Sequence, residues 1–387
     1  MKLITVKNKR SKNLFNKLPR IIYKKDSNFA CPLTRMVEEI FDTEKNSFYK
    51  HGKAERWILT EGNKPVGRIA AFIDFDKCNK FEQATGNFGF FECINDKEAA
   101  SVLFEQAKNW LVEQGMEAMD GPANMGENYM NHGLLVMGFE PQGFGMPYNP
   151  PYYLELFESY GFKPYYEQYS YHLDYTKPFP ERFWKIAEWL AKKPQYSFKH
   201  FEWNDIEKYV DDFRKVYEGA WRKHEHYKPI DKDELRNFIQ SSKILLDPEF
   251  VWFAYADNEP IALFVMLPDF NQALRHLKNG KLNPWNIFKL MRFIKKRHFT
   301  RTRIIIMGVV EKYQRSGIES AIFWHLDKHV MPKKPQYNEI ELSWAGDFNP
   351  KIISLYKSTG AEHAKTHYQM RFLFDRKKPF TRAKTIE

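Results

Sequence analysis

Between Val309 and Ala321 the chain reads Val-Val-Glu-Lys-Tyr-Gln-Arg-Ser-Gly-Ile-Glu-Ser-Ala. An apolar run feeding a short polar stretch, and then an apolar pattern at helical spacing, predicts a strand, a tight loop and a helix. Successive backbone amides in such a junction converge on one point. The helix N-terminus adds the positive end of its dipole, so the junction suits a pyrophosphate. Val309, Val310, Gln314, Arg315, Ser316, Gly317, Ile318 and Ser320 would border it. Glu319 must point away, because a carboxylate beside a phosphate is unfavourable. A plain strand-to-helix turn has the same outline. A second polar group lies in the long loop Met119–Pro151, where Asn124, Glu127, Asn128 and His132 sit among Met125, Met130, Met137 and Met146. Loops of that length are often functional, and methionine adapts to a long apolar ligand.

The elements that would carry these residues read as two halves, 1–177 and 178–387, with the same order. In the first half, Arg56–Leu59 and Pro65–Asp74 flank a turn at Glu61-Gly62-Asn63-Lys64 and predict a hairpin. Gly86–Ile94 follows as a strand. Asp96 is placed to cap a helix whose apolar residues recur at Ala99, Ala100, Leu103, Phe104, Ala107 and Leu111. A short helix over Tyr152–Tyr160, stopped by Gly161, and a strand at Tyr169–Leu173 complete the unit. The second half repeats this order. It has a hairpin across Asp257-Asn258-Glu259, a strand at Arg303–Val310 and a helix over 317–329. A strand at Ile340–Trp344, a helix at Pro350–Ser358 before Gly360, and a strand at His367–Phe374 follow. The pattern predicts an α/β (α+β) fold of two tandem mixed-sheet domains.

Composition narrows the class. In 387 residues, 43% are apolar and 17% aromatic, which excludes a disordered chain. Three cysteines, Cys31, Cys78 and Cys93, have no short spacing, so neither a disulfide framework nor a zinc or other metal site is expected. A reducing cytoplasm suits them. The strongest apolar runs, Ile261–Leu267 and Ile304–Val310, have the length of strands, and no membrane span or secretion signal is expected. The net charge of +11 is uneven: nine Lys/Arg and no acid precede Asp26, and ten Lys/Arg and no acid fill Arg275–Arg303. The latter stretch has a turn at Asn279-Gly280 and a cap at Asn283 before Pro284. Trp285, Phe288, Met291, Phe293 and Ile294 then interleave with basic residues. A basic amphipathic helix of this kind suits an anionic membrane surface, and equally a helix packed on its own domain.

Residues 309–321 resemble the coenzyme A loop of the GCN5-related N-acyltransferases, with Gln314 and Gly317 in place and Glu319 where Gly or Ala is usual. Asn349-Pro350, Leu355-Tyr356 and Gly360-Ala361 resemble the superfamily's next motif. That resemblance implies acyl-CoA as co-substrate with no tightly bound cofactor. It also implies Asn349 beside the thioester and Tyr356 as the acid that protonates the leaving thiolate. Tyr356 would equally serve as an ordinary packing tyrosine. The first half has Cys93-Ile94-Asn95-Asp96-Lys97-Glu98 at the loop position, with no glycine and with acids that repel phosphate. It keeps Asn149-Pro150 and Tyr152, and reads as a degenerate copy retained for substrate binding or packing.

Gly67–Ala71, Gly89–Glu92, Gly121–Asn124, Gly133–Val136, Tyr148–Tyr153, Leu267–Asn271 and Glu341–Trp344 resemble a family of bacterial tandem acyltransferase-fold proteins over roughly residues 10–375. As we read the resemblance, it includes the bacterial ceramide synthases, which acylate the amine of a long-chain sphingoid base. It implies an amine acceptor bound between the halves, near Asn124, Glu127, Asn128, Asn149 and Tyr152. A base must remove the amine proton: Asp269 and Glu341 are the leading candidates, with Asp347, His224 and Glu225 behind them. Ordinary acetyl transfer to a small amine and acyl transfer from aminoacyl-tRNA are the alternatives. The loop at Gln314–Gly317 speaks against the second, so nucleic acid is not an expected partner.

Overall fold

The computed structural model describes residues 1–80, 82–125, 132–222, 227, 229–277 and 279–385. Glu127, Asn128, His224 and Glu225 lie outside the described residues. The first half contains strands β1 (Lys2–Thr5), β2 (Gly52–Glu61), β3 (Lys64–Asp74), β4 (Thr85–Cys93), β5 (Ala118–Gly121), β6 (Leu134–Met137) and β7 (Lys163–Asp174). Its helices are α1 (Lys9–Ile22), α2 (Thr34–Ile40), α3 (Lys97–Glu113) and α4 (Tyr153–Tyr160). The second half opens with α5 (Glu181–Ala191), β8 (Tyr196–His200), α6 (Ile206–Trp221) and α7 (Lys232–Ser241). It continues with β9 (Val251–Ala256), β10 (Glu259–Pro268), α8 (Asn271–Leu274), α9 (Pro284–Lys295) and β11 (Arg301–Val309). It closes with α10 (Ile318–His325), β12 (Glu339–Gly346), α11 (Pro350–Ser358) and β13 (Glu362–Leu373).

The local signals act as expected. The Asp96 carboxylate accepts the Ala99 amide at 3.0 Å and fixes the start of α3. Asn349 caps α11 by accepting from the Ile352 amide, with Pro350 in the first turn where a missing N–H costs nothing. Ala99, Leu103, Phe104, Ala107 and Leu111 are fully buried on the first half's sheet.

All strands but one lie along a single path, in the order β1-β2-β3-β4-β5-β13-β7-β12-β11-β10-β9-β8, with β6 on β13. The halves exchange their last strands. β7, which ends the first half, pairs with β12, and β13, which ends the second, lies between β5 and β7. Sequence order gave no sign of this, since a hairpin and an exchanged strand have the same alternation. The expected division at residue 177 therefore crosses a continuous sheet. Arg371 on β13 seals the exchange with a two-pronged ion pair to Asp120 on β5, at 2.6 and 2.7 Å.

In each half two parallel strands begin side by side and then part. β11 pairs with β12 only from Arg301↔Glu339 to Arg303↔Glu341. Beyond that, the β12-facing edge of β11 has no strand partner among the described residues. β4 pairs with β5 only from Thr85↔Ala118 to Asn87↔Asp120.

Candidate active site

The second opening is the mouth of a large cleft between the halves. Its volume is about 1940 Å³, well above the roughly 300–1,000 Å³ usual for one small ligand. Ile305, Ile306 and Met307 of β11 and Ser343, Trp344 and Ala345 of β12 form one wall, with Asn349, Ile352 and Tyr356 of α11 beside them. Asn124, His132, His51 and Asp74 of the first half face them, so the exchanged sheet brings both halves to one space. Trp221, at the end of α6, lies directly over Gly308: a Cβ there would sit 2.1 Å from the indole ring. Gly308 thus lets the aromatic ring approach the strand edge.

The loop after β11 is a tight, internally bonded turn. Val310 N–H is tied to the Ile261 carbonyl at 2.8 Å, and the Gln314 amide side chain donates to the Val309 carbonyl at 3.2 Å. The Ser316 hydroxyl donates to Tyr313 O. These bonds fix the turn from inside. Arg315 and Gly317 both take left-handed backbone angles, φ +64° and +83°, which turn the loop into α10. A side chain at 317 would also meet Leu190 of α5 at 2.7 Å. Ile318 and Ser320 are buried, so only their backbones could meet a ligand. Arg315 and Lys312 are exposed on the rim. Burial pushes the Glu319 carboxyl up, which weakens it as a competing anion.

Tyr356 is 2% exposed, yet it borders the cleft, with its ring 5.7 Å from that of Tyr171. Burial raises its pKa and the nearby Arg303 pulls it back. The net shift is upward, so the phenol keeps its proton at neutral pH.

Asp269 and Glu341 have a different task from the one expected of them, and neither lines the cleft. Asp269 accepts the Phe144 amide at 2.8 Å and Arg301 Nε at 2.9 Å. Glu341 accepts Lys365 Nζ at 2.9 Å and lies 3.3 Å from Arg303 Nε. Arg303 reaches the Phe144 carbonyl, and Lys365 that of Pro141 at 3.2 Å. This buried network clamps segment 141–146 of the first half onto the second. Burial alone would raise the Glu341 carboxyl, but Lys365, Arg301 and Arg303 overcome it and hold it at about 2. Such a group is a poor base. Asp347 accepts the Glu167 amide at 3.2 Å and pairs with Arg382.

Asn149 and Tyr152 are also structural. The Asn149 side chain closes a pair of hydrogen bonds with the Leu135 backbone, at 2.7 and 3.0 Å, and the Tyr152 hydroxyl donates to the Cys93 carbonyl at 2.8 Å. Asn124 does line the cleft.

The groups that sequence reasoning missed are on the opposite wall. His51 Nδ1 lies 3.3 Å from Asp74 Oδ1, and His51, Asp74 and Asp76 bring ligand atoms within 4.8 Å of one another. Lys77 Nζ stands 4.0 Å from Asp74. The signal was present in the hairpin: counting back from Glu61↔Lys64, and allowing for one bulge, sets Gly52 against Asp74 and so puts His51 beside it.

No known family model matches the chain. It is 30% identical over 374 residues to the bacterial ceramide synthase of Caulobacter vibrioides, covering 95% of this chain and 96% of that protein. It is 26% identical over 367 residues to protein YghO of Escherichia coli K12, covering 94% and 93%. Among solved structures it resembles a tandem GNAT protein from the clavulanic acid biosynthesis pathway, with TM-score 0.57 and 9% identity over 98% of this chain and 99% of the other. That likeness establishes the tandem acyltransferase fold. Among the described residues, no helix is long and apolar enough to cross a membrane.

Proposed function

The chain belongs to the family of the bacterial ceramide synthase and is an acyltransferase of tandem GNAT fold, and from that premise we propose that it transfers a long acyl group from coenzyme A to the amine of a sphingoid base. The observation that carries this reading is the cleft itself. It joins the open β11–β12 edge and Tyr356 to a first-half wall, and it is larger than one small ligand needs. In this reading the loop Val310–Ser320 takes the pyrophosphate on its amides and the α10 N-terminus. Arg315 and Lys312 on the rim meet outer phosphate. The pantetheine follows the free edge of β11, where backbone amides near Met307–Val309 polarise the thioester carbonyl. Asn349 fixes the start of α11 beside it, and Asn124 is a polar contact for the acceptor.

The amine nitrogen bonds to the thioester carbon and the C–S bond breaks. The nitrogen's proton goes to the first-half wall, where His51 oriented by Asp74 is the base we assign in place of Asp269 and Glu341. The thiolate takes the Tyr356 proton, and the phenolate is reprotonated from solvent. No covalent enzyme intermediate is needed. A cytoplasmic location, at the inner face of an anionic membrane, goes with this reading.

The test is thiol release from palmitoyl-CoA and from acetyl-CoA, each with and without sphinganine or its 3-keto form. Release from palmitoyl-CoA that requires the sphingoid base is the expected result. Release from acetyl-CoA with a simple amine would keep the site and discard the lipid. No release from any donor would overturn the coenzyme A reading in favour of another acyl carrier. His51→Gln should lower kcat with little change in KM for acyl-CoA. An unchanged kcat would reject His51 as the base.

A further inference from the structure

We propose that the two acid-free basic stretches of the sequence, some 250 residues apart, form one surface in the fold, and that this surface docks on an anionic lipid bilayer. The inference deepens the membrane part of the reading above by naming the surface and assigning it to both halves.

The stretches meet at Gly280. Its carbonyl accepts the Thr34 amide at 2.8 Å, and a Cβ on it would lie 2.5 Å from the Pro32 carbonyl and 3.5 Å from Arg20 Nη2. Arg20, in the last turn of α1, also donates to the Thr34 hydroxyl at 2.7 Å. The C-terminal end of α1 is thereby locked to the segment that leads into α9. That segment is itself braced. Asn283 caps α9, and the buried Asn286 side chain donates to Asn279 Oδ1 and to the Lys281 carbonyl, each at 2.7 Å.

One side of α9 is committed to the fold. Leu290, Phe293 and Ile294 pack against the second half's core, and the Phe293 ring lies 5.0 Å from that of Phe299. The other side is uncovered. Trp285 is 63% exposed and Phe288 54%, and their rings stack at 5.6 Å. Leu282, Ile287 and, on α1, Ile21 are exposed as well. Around them stand Lys281, Lys289, Arg292, Lys295, Lys296 and Arg297, with Lys17, Lys24 and Lys25 on the α1 side, all exposed. Lys17 and Ile21 fall on one helical stripe by spacing, and Lys24 and Lys25 follow just past the end of α1. Among the described residues, none of these nine cations has a carboxylate partner.

Unpaired cations around a stacked aromatic pair suit two kinds of polyanion, a nucleic acid or a lipid surface. The exposed aliphatic side chains decide between them. Leu, Ile and the Trp–Phe pair enter the acyl boundary while lysines meet headgroups, whereas base stacking has no use for Leu282, Ile287 or Ile21.

The full chain, co-sedimented with vesicles of mixed phosphatidylcholine and phosphatidylglycerol, should be carried down, with little binding to phosphatidylcholine alone and with loss of binding at high salt. Trp285→Ser with Phe288→Ser, and Lys295→Glu with Lys296→Glu, should each lower the bound fraction about tenfold or more. Lys17→Glu with Lys24→Glu, on the other half, should lower it too, which a surface confined to α9 would not do. All these sites are exposed, so melting temperatures should match the parent's and report on folding. Equal binding to neutral vesicles, no binding to either kind, or retention on single-stranded RNA without vesicle binding would each overturn the proposal. Sedimentation needs no turnover. An enzyme inactive on sphinganine can still show this surface, and an active enzyme can lack it.

Discussion

At residues 93–96 the first half turns from β4 into α3, and at residues 309–318 the second half turns from β11 into α10. The two junctions occupy the same place in the repeated fold, yet one is plugged and the other open. In the first half the Cys93 amide is taken by the Tyr153 hydroxyl at 2.9 Å and its carbonyl by Tyr152. Tyr153 and Tyr23 also donate to a buried Glu92 carboxylate, each at 2.8 Å, and Arg68 stands 3.5 Å from it. The Ala123 amide bonds to the Phe88 carbonyl at 2.9 Å, and a Cβ on Gly89 would overlap the Ala123 carbonyl, so the chain just past β5 stays close against β4 where the strand pairing has ended. In the second half the junction keeps two left-handed residues and an exposed rim arginine. Counting from the shared Asn-Pro, the buried Leu156 stands where Tyr356 does. On the proposed reading, one half therefore holds the donor site and the other a filled version of the same junction.

The difference can be tested from either side. Tyr356→Phe should lower kcat by about 10²- to 10⁴-fold with little change in KM or melting temperature, since the ring remains in its packing. Tyr153→Phe, which removes a hydroxyl from the plug, should leave kcat unchanged and show only as lost stability. An activity loss in the second variant equal to the first would erase the distinction.

Glu341→Gln attacks the clamp between halves and should cost about 3 kcal/mol of stability at neutral pH. The native carboxyl, held at about 2, lies below the ordinary glutamate value of about 4.3, so its contribution is complete above the latter and is lost as the pH falls toward the former. Thermal melts across that window should therefore converge for parent and variant at the acid end. A pH-independent gap would refute the charge network.

Gly317→Ala adds a methyl at φ +83° and 2.7 Å from Leu190, and should raise KM for acyl-CoA about tenfold. The smallest effect is expected from Tyr152→Phe, about 1 kcal/mol of stability and no change in activity, read from a denaturant titration.

Much of the frame was legible in the sequence because its signals are local. Asp96, Asn349-Pro350 and the two hairpin turns mark their own elements, and residues 309–321 carry the loop in a single run. What was not legible depends on register between distant strands. Asp269 and Glu341 look like carboxylates beside an opening until Arg301, Arg303 and Lys365 arrive from other strands to claim them. Asn149 looks like the partner of Asn349 until β6 closes on it. The exchange of β7 and β13 leaves each strand's own pattern unchanged, so only the folded sheet reveals it. The same exchange brings His51 and Asp74 to the cleft.

The central claim is one donor site per chain, located after β11. Calorimetric titration with coenzyme A tests it directly. The account predicts one molecule bound per chain, lost in Gly317→Asp and unaltered in Tyr153→Phe. Two molecules per chain, or full binding retained by Gly317→Asp, would contradict it.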